Sequence, residues 1–195
     1  LPRIPVFVDS PLAVNATTIF GAHPECYDED LERYLLIDDN PFGFNNLQYI
    51  KKVEASKALN SMEEPCIIIS ASGMMNAGRS KHHLFNTIED PRNTLLLVGY
   101  ASPQTPGGKI RNGATGLKLF GQYKKVRAHV EQMDSFSAHA DRNEIREFLR
   151  GQEQHTKKVF LVHGTIDRQE SLAGLLNDVG FQDVQIPELG QEYDL

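Results

Sequence analysis

Short apolar runs alternate along this chain with stretches in which apolar residues recur every three or four positions. The apolar runs predict buried strands at residues 4–9, 66–70, 94–98 and 159–162. The helical spacing predicts helices at residues 12–21, 29–36, 53–59, 79–88, 142–149 and 168–179. Because strands and helices alternate, the pattern favours an α/β fold with a Rossmann-like parallel sheet.

Turn and capping residues mark several boundaries of these elements. Ser10 followed by Pro11 is typical of an N-cap with proline in the first helical turn. Asp141, with Glu144 three residues later, fits a capping box at the start of a helix. The segment 101–116 is rich in Gly, Pro, Ser and Thr, and it predicts a long loop or short hairpin. Shorter strands are predicted at residues 47–50, 118–120, 126–131 and 184–186.

The charge of the chain is uneven. The composition, 40% hydrophobic and 24% charged, is that of an ordinary globular protein, and the net charge is −6. An acidic chain does not hold nucleic acid with its whole surface. Residues 91–130 nevertheless contain no acid and seven bases: Arg92, Lys109, Arg111, Lys118, Lys124, Lys125 and Arg127. They form either a basic face for a phosphate backbone or a solvated surface neutralised by acids from elsewhere in the fold.

The chain shows no sign of a membrane or secreted setting. No apolar run approaches the roughly 18 residues of a membrane span, and no signal peptide is visible. Cys26 and Cys66 are the only cysteines, and they form no C-x-x-C motif. We therefore expect a cytoplasmic protein without a membrane partner.

Two histidines occupy positions typical of an active site. His139 lies in a small-residue turn before a helix, and His163 ends an apolar strand and precedes Gly164. Histidine is the commonest metal ligand and the usual acid or base near neutral pH. Either histidine taken alone could equally be structural. Together, at turns that follow strands, they predict the rim of one active site.

The segments around these histidines resemble a known family. "SFSAHAD" around His139 and "FLVHG" around His163 are similar to the last two signature motifs of the β-CASP branch of metallo-β-lactamase-fold nucleases, which cut RNA or DNA. Further segments match the family, in the family's order along the chain, at residues 5–13, 67–74, 78–79, 93–100 and 186–190. The nearest resemblance is to bacterial and archaeal homologues of the endonuclease subunit that cleaves pre-mRNA 3′ ends.

The resemblance implies a domain organisation. Residues 1–125 are expected to form a Rossmann-like, parallel-sheet β-CASP domain whose N-terminal part is missing. Residues 126–195 are expected to form the C-terminal segment of a metallo-β-lactamase αββα fold. The family's H-x-H-x-D-H metal motif does not occur in this chain. We therefore expect the C-terminal portion of a longer two-zinc enzyme, with no zinc stably bound and no activity in this portion alone.

The resemblance also implies a role for each matching site residue. His163 corresponds to a zinc ligand, and His139 to the histidine that donates a proton to the leaving oxygen. Asp141 could orient His139, but a helix cap is the favoured interpretation. Contacts with phosphate or RNA are expected at Ser72, Gly73, Met74, Ser135, Ser137 and Lys109. Relatives often carry an arginine in the loop of Lys109. A guanidinium that can bind phosphate through two hydrogen bonds is therefore replaced here by a single ammonium charge.

The function implied by the resemblance is that of a zinc-dependent RNA-processing nuclease acting on single-stranded RNA. The alternative is a non-catalytic RNA-binding or scaffold subunit of the same family. Because a large apolar face seldom stays exposed where the absent part of the sheet would pack, self-association, for example as a homodimer, or marginal stability is expected. His82 and His83 are adjacent and point to different faces of their helix, so both are predicted to be surface residues.

Overall fold

The chain forms two compact units that divide after Phe136. The structure is a computed structural model, and it describes residues 3–136 and 139–193. The boundary between these two units lies further along the chain than the domain boundary predicted at residue 125. That boundary follows the family resemblance and stays a prediction. In the described ranges, no helix is both long and apolar enough to cross a membrane.

The first unit begins with a three-stranded parallel sheet in the order β2-β1-β3. Its strands are β1 (Val6–Asp9), β2 (Leu47–Tyr49) and β3 (Ile67–Ser70). Val6 pairs with Leu47 in β2 and with Ile67 in β3. Helices α1 (Pro11–Ala22), α2 (Glu29–Leu35) and α3 (Val53–Leu59) lie between these strands in the chain, with a 3-10 turn at Pro24–Cys26. The predicted α/β fold with parallel strands is confirmed.

The rest of the first unit packs around a separate apolar core. Its elements are α4 (Gly78–Thr87), β4 (Thr94–Leu97), α5 (Pro106–Arg111), β5 (Gly116–Leu119), β6 (Gln122–Lys125) and β7 (His129–Gln132). Strands β4 and β7 are parallel, and β5 and β6 form an antiparallel hairpin. The core consists of Met75, Leu84, Ile88, Leu97, Ile110, Leu117 and Leu119. The strand predicted at 126–131 begins later than predicted, at His129.

The loop predicted over residues 101–116 is confirmed at 101–105 and 112–115 but was wrong at Pro106–Arg111, which form a helix. Helix α5 begins there after Thr105, whose hydroxyl accepts a hydrogen bond from the amide of Gly108 at 3.2 Å. A Cβ at Gly107 would lie 2.5 Å from the carbonyl oxygen of Gly73, and one at Gly108 would lie 2.0 Å from that of Ser102. Glycine lowers helix propensity, but here it permits a close backbone contact, so tertiary packing outweighs the local preference.

The second unit contains α6 (Arg142–Phe148), β8 (Val159–Phe160), α7 (Ile166–Asp178) and β9 (Val184–Gln185). The two strands are parallel, and Val159 pairs with Val184. Leu176 is fully buried in this unit and Phe181 nearly so. Strand β8 is shorter than the predicted 159–162, and Val162 is 69% exposed.

The glycines at the start of α5 provide a test of this packing. We expect Gly108→Ala to lower the free energy of unfolding by about 1–3 kcal/mol, because the added methyl group would overlap the backbone of Ser102. Gly73→Ala is the matched control, since no atom lies within 4 Å of a Cβ built there. Urea unfolding of both variants measures the difference. Equal urea midpoints for Gly108→Ala and Gly73→Ala would contradict the close approach of α5 to Ser102.

Candidate functional site

The carboxyl end of β1 holds a buried carboxylate, Asp9, which is 0% exposed. Its Oδ2 accepts hydrogen bonds from the hydroxyl of Ser56 at 2.5 Å and from Nε2 of His83 at 2.6 Å. Its Oδ1 accepts a hydrogen bond from Nη1 of Arg79. The hydroxyl of Ser70, at the end of β3, donates to the backbone carbonyl of Asp9 at 2.9 Å. A buried charge requires such partners, and Asp9 has them on both oxygens.

The two basic partners of Asp9 connect it to other elements. Arg79 and His83 lie four residues apart on α4 and therefore on one face of that helix. The guanidinium of Arg79 also donates to the carbonyls of Ile50 at 2.8 Å and Lys51 at 2.7 Å, just after β2. Nδ1 of His83 lies 2.8 Å from Oδ1 of Asn60, at the end of α3. We call Asp9, Ser56, Arg79 and His83 the strand-end cluster.

The strand-end cluster keeps Asp9 ionised. Burial by itself raises the pKa of this carboxyl, but the hydrogen bonds from Ser56, His83 and Arg79 outweigh it. The pKa of Asp9 therefore lies below its ordinary value of 3.8. A carboxylate so enclosed positions other groups and is not accessible to a ligand.

The prediction that His83 lies on the surface was wrong. Only 7% of the residue is exposed, whereas His82 is exposed as predicted and packs against Phe120, with ring centroids 4.7 Å apart and planes tilted by 33°. Adjacency showed that the two histidines face different ways, but not which one faces inward. The spacing of Arg79 and His83 places both on one face of their helix, but it does not identify Asp9 as their shared partner.

The turn after β3 carries three of the predicted RNA-contacting residues. The hydroxyl of Ser80 in α4 donates to the carbonyl of Ser72 at 2.8 Å. The amide of Gly107 in α5 donates to the carbonyl of Met74 at 3.0 Å. Gly73 is exposed, and Met74 is 38% exposed. Two helices therefore fix the backbone of this turn, while two of its three residues remain accessible.

The basic segment 91–130 is only partly neutralised. Its ion pairs are Arg92 with Asp90 at 2.6 Å, Arg111 with Asp134 at 2.7 Å, and Lys124 with Glu89 at 3.0 Å. Lys109, Lys118, Lys125 and Arg127 are exposed, and none of them joins an ion pair within the described part of the chain. Lys109 lies on α5 rather than in a loop. Three of the seven bases are therefore neutralised, as the second alternative predicts, and for the other four a basic face for a phosphate backbone stays a prediction.

In the second unit the two predicted active-site histidines lie together. The rings of His139 and His163 are stacked, with centroids 6.1 Å apart and planes inclined by 22°. Both residues are exposed. His163 has a positive φ of 73°, and Gly164 follows with φ 108°, so the chain turns sharply after the strand. Nε2 of Gln169 in α7 donates to the carbonyl of Leu161 at 2.9 Å, and this bond holds the chain that follows β8.

The start of α6 is capped as predicted. The carboxylate of Asp141 accepts hydrogen bonds from the amides of Asn143 at 2.7 Å and Glu144 at 2.9 Å. The Glu144 side chain in turn accepts from the amide of Asp141 at 2.7 Å. The amides of Asp141, Asn143 and Glu144 are therefore occupied by carboxylates, and the phosphate contacts expected at Ser135 and Ser137 stay predictions. Ser135 is exposed in the first unit, and Ser137 lies outside the described residues.

The described residues do not by themselves make a complete zinc centre. Within them, no group of three or more His, Cys, Asp or Glu side chains is placed to hold a metal ion. Zinc centres in proteins use at least three such ligands. The exposed imidazole of His163 fits one ligand of such a set.

Two family models match the chain. The Beta-Casp domain matches residues 1–110, and the Zn-dependent metallo-hydrolase RNA specificity domain matches residues 123–187. The chain belongs to the β-CASP family. The resemblance seen in the sequence motifs is thereby confirmed, and with it a place in a family of nucleases.

Curated relatives agree with this assignment. The chain is 33% identical over 191 residues to ribonuclease TTHA0252 of Thermus thermophilus, covering 98% of this chain and 43% of that protein. It is 32% identical over 170 residues to the transcription termination factor FttA of Methanosarcina mazei, covering 84% of this chain and 26% of that protein. The chain thus spans less than half the length of these relatives.

The strand-end cluster provides a test by mutation and pH. We expect Asp9→Asn to lower the free energy of unfolding at pH 7 by about 3–5 kcal/mol, because it leaves buried basic groups without their carboxylate. The pKa of Asp9 is lower in the folded than in the unfolded state, so its contribution is present above about pH 4 and is lost as the pH falls through the folded value.

Urea unfolding from pH 7 to pH 2 measures this contribution, with the exposed Asp39→Asn as the control. The difference between wild type and Asp9→Asn should shrink towards acid pH, whereas Asp39→Asn should follow the wild type throughout. A difference between wild type and Asp9→Asn that does not vary with pH would show that the carboxylate charge is unimportant.

Proposed function

We propose that the protein to which these residues belong is a zinc-dependent ribonuclease that hydrolyses phosphodiester bonds of single-stranded RNA. Membership of the β-CASP family supports a nuclease, and the 33% identical relative is named a ribonuclease. The observation that carries the proposal is the stacked pair of exposed imidazoles, His139 and His163. Each comes from a different turn of the second unit, and each lies in a segment that resembles a family motif.

His139 acts in this proposal as the general acid. Its imidazole is exposed, and histidine is the usual acid or base in catalysis near neutral pH. It donates that proton to the oxygen that leaves when the phosphodiester bond breaks, a contribution of about 10²–10⁴ in rate. The capped start of α6, two residues after His139, fixes the backbone that follows it.

His163 acts as one ligand of the zinc centre. The sharp turn at His163 and Gly164 and the bond from Gln169 hold the backbone at this position, as a ligand site requires. The other ligands come from the part of the protein beyond this chain. Bound zinc supplies Lewis-acid stabilisation of charge on the phosphate and makes a hydroxide available near neutral pH.

The turn of Ser72, Gly73 and Met74 contacts the RNA backbone in this proposal. The fixed backbone of the turn and the exposure of Gly73 and Met74 support that role, because a preorganised turn loses little entropy when it binds. The hydroxyls of Ser135 and Ser137 and the ammonium of Lys109 are proposed as further phosphate contacts. Lys109 is exposed on α5, where its charge is accessible.

The proposal predicts separate effects of the two histidines in the whole protein. His139→Ala should lower the rate of cleavage of end-labelled single-stranded RNA by about 10²–10⁴ while the zinc content stays at the wild-type level. His163→Ala should lower both cleavage and zinc content. The matched control is His155→Ala, an exposed histidine in the same unit, which should change neither quantity.

Cleavage is measured on a denaturing gel and zinc by elemental analysis of the purified protein. If His139→Ala cleaves like the wild type, His139 is not the acid, and the proposed mechanism is wrong. If the wild-type protein binds single-stranded RNA without cleaving it, the protein is the non-catalytic RNA-binding subunit of the alternative.

The 195-residue chain by itself should not cleave RNA. One imidazole ligand holds zinc too weakly to populate a catalytic centre, so added zinc should restore no activity. The measurement is incubation of the purified chain with labelled RNA and zinc beside the whole protein. Cleavage by the chain that disappears in His139→Ala would show that these residues suffice.

A further inference from the structure

The hairpin of β5 and β6 buries one face and exposes the other. Leu117 and Leu119 point into the core and are 6% and 1% exposed. Side chains alternate along a strand, so the remaining positions lie on the opposite face. That outer hairpin face consists of Gly116, Lys118, Tyr123 and Lys125, in which Gly116 pairs with Lys125 and Lys118 pairs with Tyr123.

The ring of Tyr123 lies across Gly116. A Cβ built on Gly116 would be 2.2 Å from the hydroxyl oxygen of Tyr123 and 2.5 Å from its Cζ. The absence of a side chain at residue 116 therefore makes room for the end of the ring against the strand. Tyr123 nevertheless remains 61% exposed. The hairpin thus presents an aromatic ring that is supported on one side and accessible on the other.

Two lysines flank this ring. Lys118 is directly opposite Tyr123, and Lys125 is directly opposite Gly116. Both are exposed, and neither belongs to an ion pair among residues 3–136 and 139–193. The neighbouring acid is Glu89, which accepts from the amide of Lys125 at 3.0 Å and is paired with Lys124. The positive charge of the outer hairpin face is therefore available to a partner.

The turn of the same hairpin adds a second aromatic group. Phe120 is 47% exposed, and Nζ of Lys81 lies 4.5 Å from its ring centroid. The ring of His82 also packs against Phe120, in a tilted arrangement. The tip of the hairpin thus carries an exposed ring with a cation beside it, packed against α4.

We propose that the outer hairpin face is a binding surface for single-stranded nucleic acid, on which a base stacks on Tyr123 while Lys118 and Lys125 contact the adjacent phosphates. Stacking on aromatic rings within a basic surface is how proteins bind single strands without sequence preference. A protein partner is disfavoured because lysine is depleted in protein interfaces. The inference rests on the proposed function in taking RNA as the ligand.

The first test is RNA affinity of the full chain with EDTA present, so that binding is measured without hydrolysis. The probe is a short fluorescein-labelled oligouridine, followed by fluorescence anisotropy. Tyr123→Ala should weaken binding about 5- to 150-fold, since stacking contributes about 1–3 kcal/mol per base. Tyr123→Phe, which keeps the ring, should bind like the wild type.

The lysines are tested by salt dependence. Each of Lys118→Gln and Lys125→Gln should reduce the slope of log affinity against log salt by about 0.7, the value for one phosphate contact on a single strand. Lys57→Gln is the matched control, because Lys57 is exposed on α3, away from the hairpin. Its slope should equal that of the wild type.

Gly116→Ala tests the support of the ring without touching a lysine or the tyrosine itself. The added methyl group would displace the Tyr123 ring, so binding should weaken in the wild-type background and change little in Tyr123→Ala. Thermal unfolding of each variant shows whether the hairpin is folded, and Tyr123→Phe tests the ring if Gly116→Ala does not fold.

Two results would overturn the inference. Wild-type affinity in Tyr123→Ala, Lys118→Gln and Lys125→Gln would show that RNA does not bind on this face. Weaker binding in the lysine variants, with Tyr123→Ala like the wild type, would show attraction by charge without stacking. Neither result bears on cleavage by His139, which is measured separately, so failure here is distinct from failure of the proposed ribonuclease activity.

Discussion

The buried carboxylate of Asp9 is the constraint on which the first unit depends. An ionised group with 0% exposure is tolerated only if donors from other elements surround it. Ser56 comes from α3, and Arg79 and His83 come from α4, so both helices must lie against the end of β1. Through its remaining donors, Arg79 also fixes the chain that leaves β2.

The position of the candidate RNA-contacting turn follows from this constraint. Since α4 is held by Asp9, Ser80 near its start meets the carbonyl of Ser72, and the turn after β3 is fixed. Helix α5 then packs on the same turn through Gly107. The strands and helices thus form a rigid scaffold that holds a short accessible segment, as is usual for binding residues on loops. In the second unit, the capped α6 and the bond from Gln169 fix the chain beside His139 and His163 in the same way.

Features with local signals could be predicted from the sequence, and features decided by tertiary contacts could not. The caps at Ser10 and Asp141 depend on residues within three positions, and both predictions are confirmed. Helix α5 was missed because two glycines follow Pro106, although Thr105 and Pro106 are an N-cap and first-turn proline like Ser10 and Pro11. Only the contacts with Ser102 and Gly73 explain those glycines. The burial of His83 depends on an aspartate 74 residues away, which spacing within the helix could not identify. The nearness of His139 and His163 was expected from their motifs, whereas their catalytic roles stay predictions.

The central claim is that the strand-end cluster positions the turn of Ser72 to Met74. Hydrogen exchange measured by mass spectrometry in Arg79→Lys tests it most directly, because lysine keeps the charge but loses the guanidinium fork. We expect faster exchange in residues 47–52 and 71–80, with unchanged exchange in the hairpin at residues 116–125. Exchange at 71–80 equal to that of the wild type would contradict the claim, because the turn would then be held without the cluster.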